Sequence, residues 1–455
     1  MSEQGRLFGT DGVRGRANVH PMTAEVALAL GQAIAHVLRV PGGERRRIII
    51  GKDTRLSGYL FEDALAAGIC SMGVDVIQVG PMPTPAMAFL AQDMRCHAGV
   101  MISASHNPYE DNGIKFFSSD GYKLPDAVED RIEELIRSGE LAGMRAPADS
   151  IGRARRVDDA DGRYVVFLKQ TFPEALSLDG LRVVLDCANG AAYKVGPTVF
   201  SELGAEVVAL GVEPDGRNIN ARCGALHPER TATKVREVRA DIGIALDGDA
   251  DRCVVVSEHA EIIDGDQILA ICARDMQARG ILEGGKVVAT VMSNLGLEKA
   301  LEKLGLGLVR TQVGDRYVVE AMRAGGYNLG GEQSGHVLFL DHNTTGDGLV
   351  TALQVLAIMQ RTRRTPSQLA AGFERFPQVL RSVRVAEKPP IESLPDLAAA
   401  VRKVEEELRG RGRVLIRYSG TEPKARVMVE GDDLRRVKLY AEELALCLQR
   451  AVGSG

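Results

Sequence analysis

The fold is decided by a strand–helix–strand stretch, RIIIGKDTRLSGYLFEDALAAGICSMGVDVIQV, at residues 47–79. The apolar run at 47–50 predicts a buried strand, and residues 57–72 show a helical pattern that Gly73 closes. A second apolar run follows at 74–79. This order is typical of a βαβ unit with parallel strands.

Similar units recur along the chain and predict a largely parallel α/β architecture. Thr84-Pro85 predicts the start of a helix, with Thr84 as the N-cap. The polar, Gly- and Pro-containing segment 137–162 predicts a linker. Further strands are predicted at 98–102, 181–186, 241–246, 287–292, 308–310 and 328–330.

The pattern changes after Arg361 and predicts a different, α+β domain at the C-terminus. Thr365-Pro366-Ser367-Gln368 forms a capping box. One helix face is predicted by Leu397, Val401, Val404 and Leu408, and residues 413–417 and 425–430 alternate like paired strands.

Composition excludes several classes of protein. A length of 455 residues suggests about three domains as a starting expectation. The net charge of −5 and the absence of Trp argue against nucleic acid or a membrane surface as partner. The most apolar stretch, residues 24–40, is interrupted by charges and predicts an amphipathic helix. Seven scattered cysteines predict reduced thiols and a cytoplasmic protein.

Three carboxylates alternate with small residues in Asp247-Gly248-Asp249-Ala250-Asp251, directly after a predicted strand. Charges this close repel one another unless a cation lies among them, and oxygen ligands suit Mg²⁺ or Ca²⁺. An EF-hand is rejected because Arg252 stands where that loop needs Gly, and because residues 254–256 read as a strand. A solvated acidic turn is the alternative.

Three further segments carry candidate chemistry. Ser103-Ala104-Ser105-His106-Asn107-Pro108 follows a predicted strand, where α/β sheets place their ligands, and reads equally well as a polar turn. Residues 330–336, GGEQSGH, offer donors and acceptors for sugar hydroxyls, and residues 417–426, RYSGTEPKAR, offer hydroxyls and cations for a phosphate. Plain turns are the alternatives for both. The sequence contains no G-x-x-x-x-G-K-[ST], G-x-G-x-x-G or H-E-x-x-H motif.

Taken in this order, the segments resemble the α-D-phosphohexomutase family. Residues 8–15, FGTDGVRG, look like its N-terminal motif. Residues 103–108 look like its phosphoserine loop, 247–252 its metal loop, 331–336 its sugar loop and 417–426 its phosphate loop. The resemblance spans nearly the whole chain.

The resemblance implies four domains around a central cleft. Three similar α/β mixed-sheet domains are expected at 1–150, 151–254 and 255–370, and an α+β domain at 371–455. It also implies roles for particular residues. Ser105 would carry a phosphoryl group. Mg²⁺ would be held by Asp247, Asp249, Asp251 and an oxygen of the phosphoserine. Arg14 and Arg252 would spread the charge of the transferring group, and Lys115 or His336 would take the hydroxyl proton. Ring hydroxyls would be read by Glu332 and Ser334, and the distal phosphate held by Arg417, Ser419, Gly420, Thr421 and Arg426.

The activity that the resemblance implies is the conversion of glucosamine 6-phosphate to glucosamine 1-phosphate through glucosamine 1,6-bisphosphate, which feeds amino-sugar nucleotide and cell-wall precursor synthesis. Glucose or mannose phosphates are the alternative substrates within the family. A non-catalytic sugar-phosphate sensor is disfavoured because a sensor needs no phosphoryl donor such as Ser105. The expected partner is a small molecule; the oligomeric state stays open, with a homodimer as one option.

Overall fold

The computed structural model describes residues 6–9, 11–38, 46–419 and 423–453. The strands are β1 (Val13–Arg16), β2 (Arg47–Lys52), β3 (Asp75–Pro81), β4 (Ala98–Ile102), β5 (Asp111–Ser118), β6 (Ala154–Arg156), β7 (Arg182–Asp186), β8 (Glu206–Leu210), β9 (Ile242–Leu246), β10 (Cys253–Val256), β11 (Ile262–Ile263), β12 (Lys286–Thr290), β13 (Gly307–Thr311), β14 (Leu329–Gly331), β15 (Val337–Phe339), β16 (Gln378–Arg384), β17 (Gly412–Tyr418) and β18 (Lys424–Gly431). The helices are α1 (Ala24–Leu38), α2 (Ser57–Ser71), α3 (Thr84–Asp93), α4 (Asp126–Ser138), α5 (Ala160–Gln170), α6 (Val195–Glu202), α7 (Glu229–Val238), α8 (Gly265–Ala278), α9 (Leu295–Lys303), α10 (Asp315–Gly325), α11 (Gly348–Thr362), α12 (Pro366–Ala370), α13 (Pro395–Leu408) and α14 (Leu434–Val452).

Three sheets repeat one arrangement of three parallel strands followed by an antiparallel one. The repeated orders are β3-β2-β4-β5, β8-β7-β9-β10 and β13-β12-β14-β15. Strands β1 and β6 extend the first sheet, and β11 extends the second. The expectation of three similar α/β mixed-sheet domains is therefore confirmed.

The repeat determines where the polar segments lie. In each unit the segment connects the third parallel strand to the antiparallel strand, at residues 103–110, 247–252 and 332–336. All three therefore occupy the carboxyl ends of parallel strands, where open α/β sheets bind ligands.

The fourth domain is α+β, as expected. Its antiparallel sheet has the order β16-β18-β17. Helix α13 buries Leu397, Val404 and Leu408 in the core of this domain. Before this domain, the predicted capping box at Thr365 is present at the start of α12.

The first three domains share apolar packing, whereas the fourth has a core of its own. Ile49, Leu185, Val287 and Leu353 lie in one buried cluster that spans three sheets. The fourth domain buries a separate cluster around β18 and α14. It meets the third domain through polar contacts, in which Arg413 donates to the Val291 carbonyl oxygen at 2.9 Å and Glu430 accepts from the Leu295 amide at 2.8 Å.

Two local expectations were wrong. The predicted linker 137–162 contains β6, which pairs in parallel with β3; its exposed Ala-Arg-Arg sequence carries no apolar signal because only the backbone takes part in the pairing. Thr84 does not cap α3. The helix begins at Thr84 itself, and the Thr84 hydroxyl donates to Asp249 Oδ2 at 2.6 Å.

The domain boundaries predicted after residues 150 and 254 each separate part of a sheet from the rest of that sheet. Strand β6 follows residue 150 but completes the first sheet, and β10 runs across the boundary predicted at 254. Sheet membership therefore favours boundaries a few residues further along the chain. Within the described residues, no helix is both long and apolar enough to cross a membrane.

Candidate active site

Ser105 lies in the turn between β4 and β5, with only 1% of its surface exposed. Its hydroxyl donates to Asp247 Oδ2 at 2.6 Å and lies 3.3 Å from His106 Nδ1. Ser103 is fully buried in another role, because its hydroxyl donates to Asp53 Oδ2 at 2.6 Å and accepts from the Ser105 amide at 2.9 Å. The geometry thus brings Ser105, and not Ser103, to the metal loop.

The turn around Ser105 is held by Arg55, which stands in none of the motifs that the sequence shows. Arg55 is fully buried, and its Nε donates to Asp53 Oδ2 at 2.8 Å. Its remaining four N–H groups reach carbonyl oxygens of Ser105 (2.9 Å), Asn107 (2.8 Å), Asp111 (3.0 Å) and Pro108. All five donors of the guanidinium are used.

Asn220, on a loop of the second domain, binds the same turn. Its amide nitrogen donates to the carbonyl oxygens of Ser105 (2.9 Å) and Asn107 (3.1 Å). Gly248 also approaches closely, since a Cβ there would lie 2.6 Å from the Ser105 carbonyl oxygen. The phosphoserine loop and the metal loop are therefore packed into one unit.

The three carboxylates of the metal loop are buried and convergent. Asp247, Asp249 and Asp251 each offer an oxygen, and these oxygens all lie within 4.8 Å of one another. Burial, followed by repulsion from Asp251 and Asp249, raises the pKa of Asp247 well above its usual value.

These residues fit a hard divalent cation. One oxygen of Asp249 and one of Asp251 are buried without a hydrogen-bond partner, although a buried carboxylate oxygen is costly to leave unpaired. The donor set consists of oxygens, which suits Mg²⁺ and disfavours soft metals. The solvated acidic turn considered from the sequence does not match this burial.

Lys115, on β5, is buried beside the metal loop. Its Nζ lies 3.0 Å from Asp249 Oδ2 and 3.3 Å from Asp11 Oδ2. Burial alone lowers the pKa of Lys115, but the attraction of Asp11 and Asp249 outweighs it and raises the pKa above its usual value. Arg14 pairs with Asp11, and its pKa is raised by Asp11, Asp249 and Asp251 against the opposing effect of burial.

Two histidines near the site have pKa values that are shifted in opposite directions. His336 Nδ1 lies 3.5 Å from Asp251 Oδ2; burial lowers its pKa, but Asp251 and Asp315 raise it to about 9. The pKa of His106 falls to about 4, because burial and the cations Arg252 and Arg14 all disfavour its charged form. The imidazole beside Ser105 is therefore neutral at neutral pH.

The predicted sugar loop and Arg252 lie on one cleft. Ser334 donates to Glu332 Oε2 at 3.2 Å, and both line the cleft. The backbone amide of Arg252 donates to Asp247 Oδ1 at 3.1 Å. The Arg252 side chain is 21% exposed and lies at the wall of the cleft.

Two arginines of the predicted phosphate loop face each other across strands. Arg417 on β17 and Arg426 on β18 are register partners, and both line the cleft. Burial, and then repulsion from Arg426, lowers the pKa of Arg417. The two guanidinium groups add positive charge to this wall of the cleft, which suits an anion such as a phosphate. Ser419 is buried beside them, and Gly420 and Thr421 lie outside the described residues.

The cleft has a volume of about 490 Å³ and is lined from four directions. His106 comes from the first sheet, Asp247 and Arg252 from the second, Glu332 from the third and Arg417 from the fourth. The geometry joins one nucleophilic hydroxyl, one carboxylate cluster and an arginine pair around a space large enough for a sugar phosphate.

The chain belongs to the phosphoglucomutase/phosphomannomutase family. It matches alpha/beta/alpha domain I of that family at residues 5–142, domain II at 162–261, domain III at 264–376 and the C-terminal domain at 380–446. Relatives called phosphoglucosamine mutase are 59% identical in Citrifermentans bemidjiense and 60% identical in Syntrophotalea carbinolica, in each case over 448 residues and 98% of both chains.

Solved structures share the fold. A phosphoglucomutase/phosphomannomutase family protein from Burkholderia thailandensis superposes with a TM-score of 0.80 at 25% identity, over 98% of this chain and 97% of that one. The N-acetylphosphoglucosamine mutase of Aspergillus fumigatus, solved in complex with GlcNAc-6P and magnesium, superposes with a TM-score of 0.67 at 19% identity, over 98% of this chain and 96% of that one.

Proposed function

We propose that the protein interconverts glucosamine 6-phosphate and glucosamine 1-phosphate through a phosphorylated Ser105. The observation that carries this proposal is the 2.6 Å contact between the Ser105 hydroxyl and the buried carboxylate cluster, at the wall of a cleft that also holds an arginine pair. The relatives at about 60% identity support glucosamine over other hexoses.

Asp247, Asp249, Asp251 and an oxygen of phosphorylated Ser105 would hold Mg²⁺, which stabilises negative charge on a phosphoryl group. Arg252 and Arg14 add positive charge beside it. Phosphoryl transfer depends mainly on positioning and charge stabilisation, and the buried clamp of Arg55 and Asn220 supplies the positioning of Ser105.

Phosphorylated Ser105 gives its phosphoryl group to the free hydroxyl of the substrate and forms glucosamine 1,6-bisphosphate. The bisphosphate turns around in the cleft and returns its other phosphoryl group to Ser105. Arg417, Ser419, Gly420, Thr421 and Arg426 hold whichever phosphate is not reacting, while Glu332 and Ser334 bind ring hydroxyls.

Lys115 and His336 are the proposed proton-transfer residues. Each faces a carboxylate that would hold the metal, and that carboxylate helps to raise its pKa. A cation bound by these carboxylates would act in the opposite direction and lower both pKa values.

The proposal also covers the setting of the enzyme. The cysteines form no disulfide among the described residues, which supports a cytoplasmic location. The modest negative charge supports a small-molecule partner over nucleic acid or a membrane.

Turnover of glucosamine 6-phosphate, compared with glucose 1-phosphate and mannose 1-phosphate, tests the substrate. Intact mass before and after phosphatase treatment tests the phosphoryl group. Ser105→Ala should lose the phosphate and orders of magnitude in turnover, whereas Ser103→Ala should keep the phosphate on residue 105. Phosphate found only on Ser103, or faster turnover of a hexose phosphate, would contradict the proposal.

A further inference from the structure

A closed ring of alternating charges begins and ends on the metal loop. It passes through the third and first domains and returns through β5. We call this set the charge ring; its members, in order, are Asp251, His336, Asp315, Lys123, Asp11, Lys115 and Asp249.

The half of the ring that starts at Asp251 runs through the third domain. His336 lies between two carboxylates, with Nδ1 3.5 Å from Asp251 and Nε2 3.7 Å from Asp315. Asp315 is the first residue of α10, and its two carboxylate oxygens accept from Lys123 Nζ at 2.8 Å and 2.6 Å. A carboxylate held by a lysine in this way has a defined position against the imidazole.

The other half runs through the first domain. Lys123 also contacts Asp11, and Asp11 lies 3.3 Å from Lys115, which reaches Asp249 at 3.0 Å. Burial raises the pKa of Asp11, but Lys115, Lys123 and Arg14 outweigh it and hold that pKa well below its usual value. Lys123 therefore contacts one carboxylate beside each proposed proton-transfer residue: Asp315 beside His336 and Asp11 beside Lys115.

We propose that Asp315 and Lys123 are positioning residues that fix His336 and Lys115 against the metal loop. Asp315 lies beside His336, and Lys123 holds Asp315 and Asp11, so both act through the residues they contact. Lys123 belongs to the first domain and Asp315 to the third. His336 and Lys115 are therefore held in position only when both domains are in place. The inference rests on the proposed mutase function.

A purely structural role is the rival explanation, and the next residue provides a matched control. Arg316 also joins the two domains, with its guanidinium 2.8 Å from Glu129 Oε1 and paired with Asp126. Its guanidinium contacts no member of the charge ring in the described structure. Only its backbone amide donates to Asp315 Oδ1, at 2.8 Å, and Arg316→Met keeps that amide. Loss of Arg316 should weaken the same domain contact without disturbing His336 or Lys115.

The experiment compares Asp315→Asn with Arg316→Met in the full chain with Mg²⁺, using glucosamine 6-phosphate. Asp315→Asn should lower kcat roughly ten- to a hundredfold, because a small misplacement of a reacting group has that effect, while KM changes less than about twofold. Asp315→Glu should recover part of kcat. Arg316→Met should keep kcat within about twofold of wild type. Thermal melting and the phosphate content of Ser105 are measured for each variant.

Non-additivity provides a second test. If Lys123 acts through Asp315, the double variant Asp315→Asn/Lys123→Gln should be no slower than the slower single variant. The double variant also removes both charges together, so it remains informative if Asp315→Asn melts early. Equal losses in Asp315→Asn and Arg316→Met, or a loss confined to KM, would overturn the positioning role. Failure of wild type itself to turn over glucosamine 6-phosphate would instead overturn the proposed function.

Discussion

Two residues of the reacting loops adopt left-handed backbone although neither is glycine. Ser105 has φ 51° and Ala250 has φ 57°. Such conformations cost on the order of 1–3 kcal/mol each and persist only when the surroundings hold them. Around Ser105 the surroundings are Arg55 and Asn220, which both bind its carbonyl oxygen at 2.9 Å. The serine hydroxyl is thus aimed at the metal loop by its backbone.

Asp249→Asn should lower activity and increase the Mg²⁺ concentration needed for half-maximal rate. The physical reason is the loss of one charged ligand from a set of three buried carboxylates. Even changes around a metal ligand typically lower metal affinity roughly 10–100-fold, and loss of the ligand itself should do at least as much. The measurement is a Mg²⁺ titration of turnover for wild type and variant.

Thr84→Val is the matched control for this titration. It removes the 2.6 Å hydrogen bond to Asp249 Oδ2 but keeps the carboxylate, so its Mg²⁺ requirement should shift less. Asp249→Asn also deprives Lys115 of a partner, which could lower kcat by itself. The Mg²⁺ requirement therefore decides: an unchanged value would remove Asp249 from the metal site.

The turn after β4 depends on a residue from the turn after β2. Arg55→Met should leave the Asp53 carboxylate buried without its cation and several carbonyl oxygens of the phosphoserine loop without donors. Breaking one side of a buried ion pair costs about 3–5 kcal/mol, so the first thermal transition should occur at a clearly lower temperature. Turnover should fall as well, because the position of Ser105 is no longer held.

Arg55→Lys separates the charge from the geometry. A lysine keeps the ion pair with Asp53, but its single nitrogen cannot reach the four carbonyl oxygens that Arg55 binds. Melting should recover in part while turnover stays low. Full recovery of both by the lysine variant would show that the charge alone matters, contrary to the clamp.

Many of the strands were predictable, whereas their order in each sheet and the contacts between loops were not. Apolar runs at 47–50, 98–102 and 242–246 predict strands because burial on both faces leaves a continuous signal. Strand β6 gave no signal because it is exposed at the edge of a sheet. Arg55 and Asn220 act on partners 50 to 115 residues away, and neither stands in a local pattern.

Helix α8 begins beside a buried carboxyl group that should make stability depend on pH. Burial, and then the neighbouring Asp264, raises the pKa of Asp266 from 3.8 to about 7 in the folded chain. As pH rises, Asp266 therefore ionises in the unfolded chain before it does so in the folded chain. The contribution of the protonated Asp266 to stability is present below about pH 4 and is lost as pH rises towards 7. The loss is at most about 4 kcal/mol above pH 7, from roughly three pKa units.

Asp266→Asn should remove this dependence, since the amide cannot ionise and its oxygen can accept the Asn294 amide that Asp266 binds at 2.7 Å. Urea unfolding of the two proteins is compared between pH 4 and pH 8. The variant should match wild type near pH 4 and exceed it at pH 8. A wild type that grows more stable relative to the variant as pH rises would contradict the raised pKa.

The cleft is completed only by the whole molecule, because each domain contributes one wall. The first three walls occupy equivalent places in a repeated sheet, but the fourth comes from a hairpin of a different domain with its own core. The sequence indicated each loop by its residue types, but only the resemblance to a family indicated that the loops meet. Arg417 and His106, more than 300 residues apart, line the same space.

Arg426→Ala should impair the reaction of both glucosamine 6-phosphate and glucosamine 1-phosphate. The arginine pair would hold the phosphate that is not reacting, and each orientation of the substrate places one phosphate there. Loss of one charge-assisted bond costs about 1.5–3 kcal/mol, or roughly ten- to a hundredfold in kcat/KM. The bisphosphate should also escape more often, so added glucosamine 1,6-bisphosphate should partly restore the rate.

Arg381→Ala is the control for the two-substrate comparison. Arg381 lies on β16 of the same domain, pairs with Glu442 at 3.1 Å and is absent from the described lining of the cleft, so both reactions should keep their rates. Loading of Ser105 should stay normal in Arg426→Ala, because the metal loop is unchanged. If Arg426→Ala reacted normally with one monophosphate and failed with the other, the arginine pair would serve a single orientation. Turning of the bisphosphate around one fixed phosphate site would then be untenable.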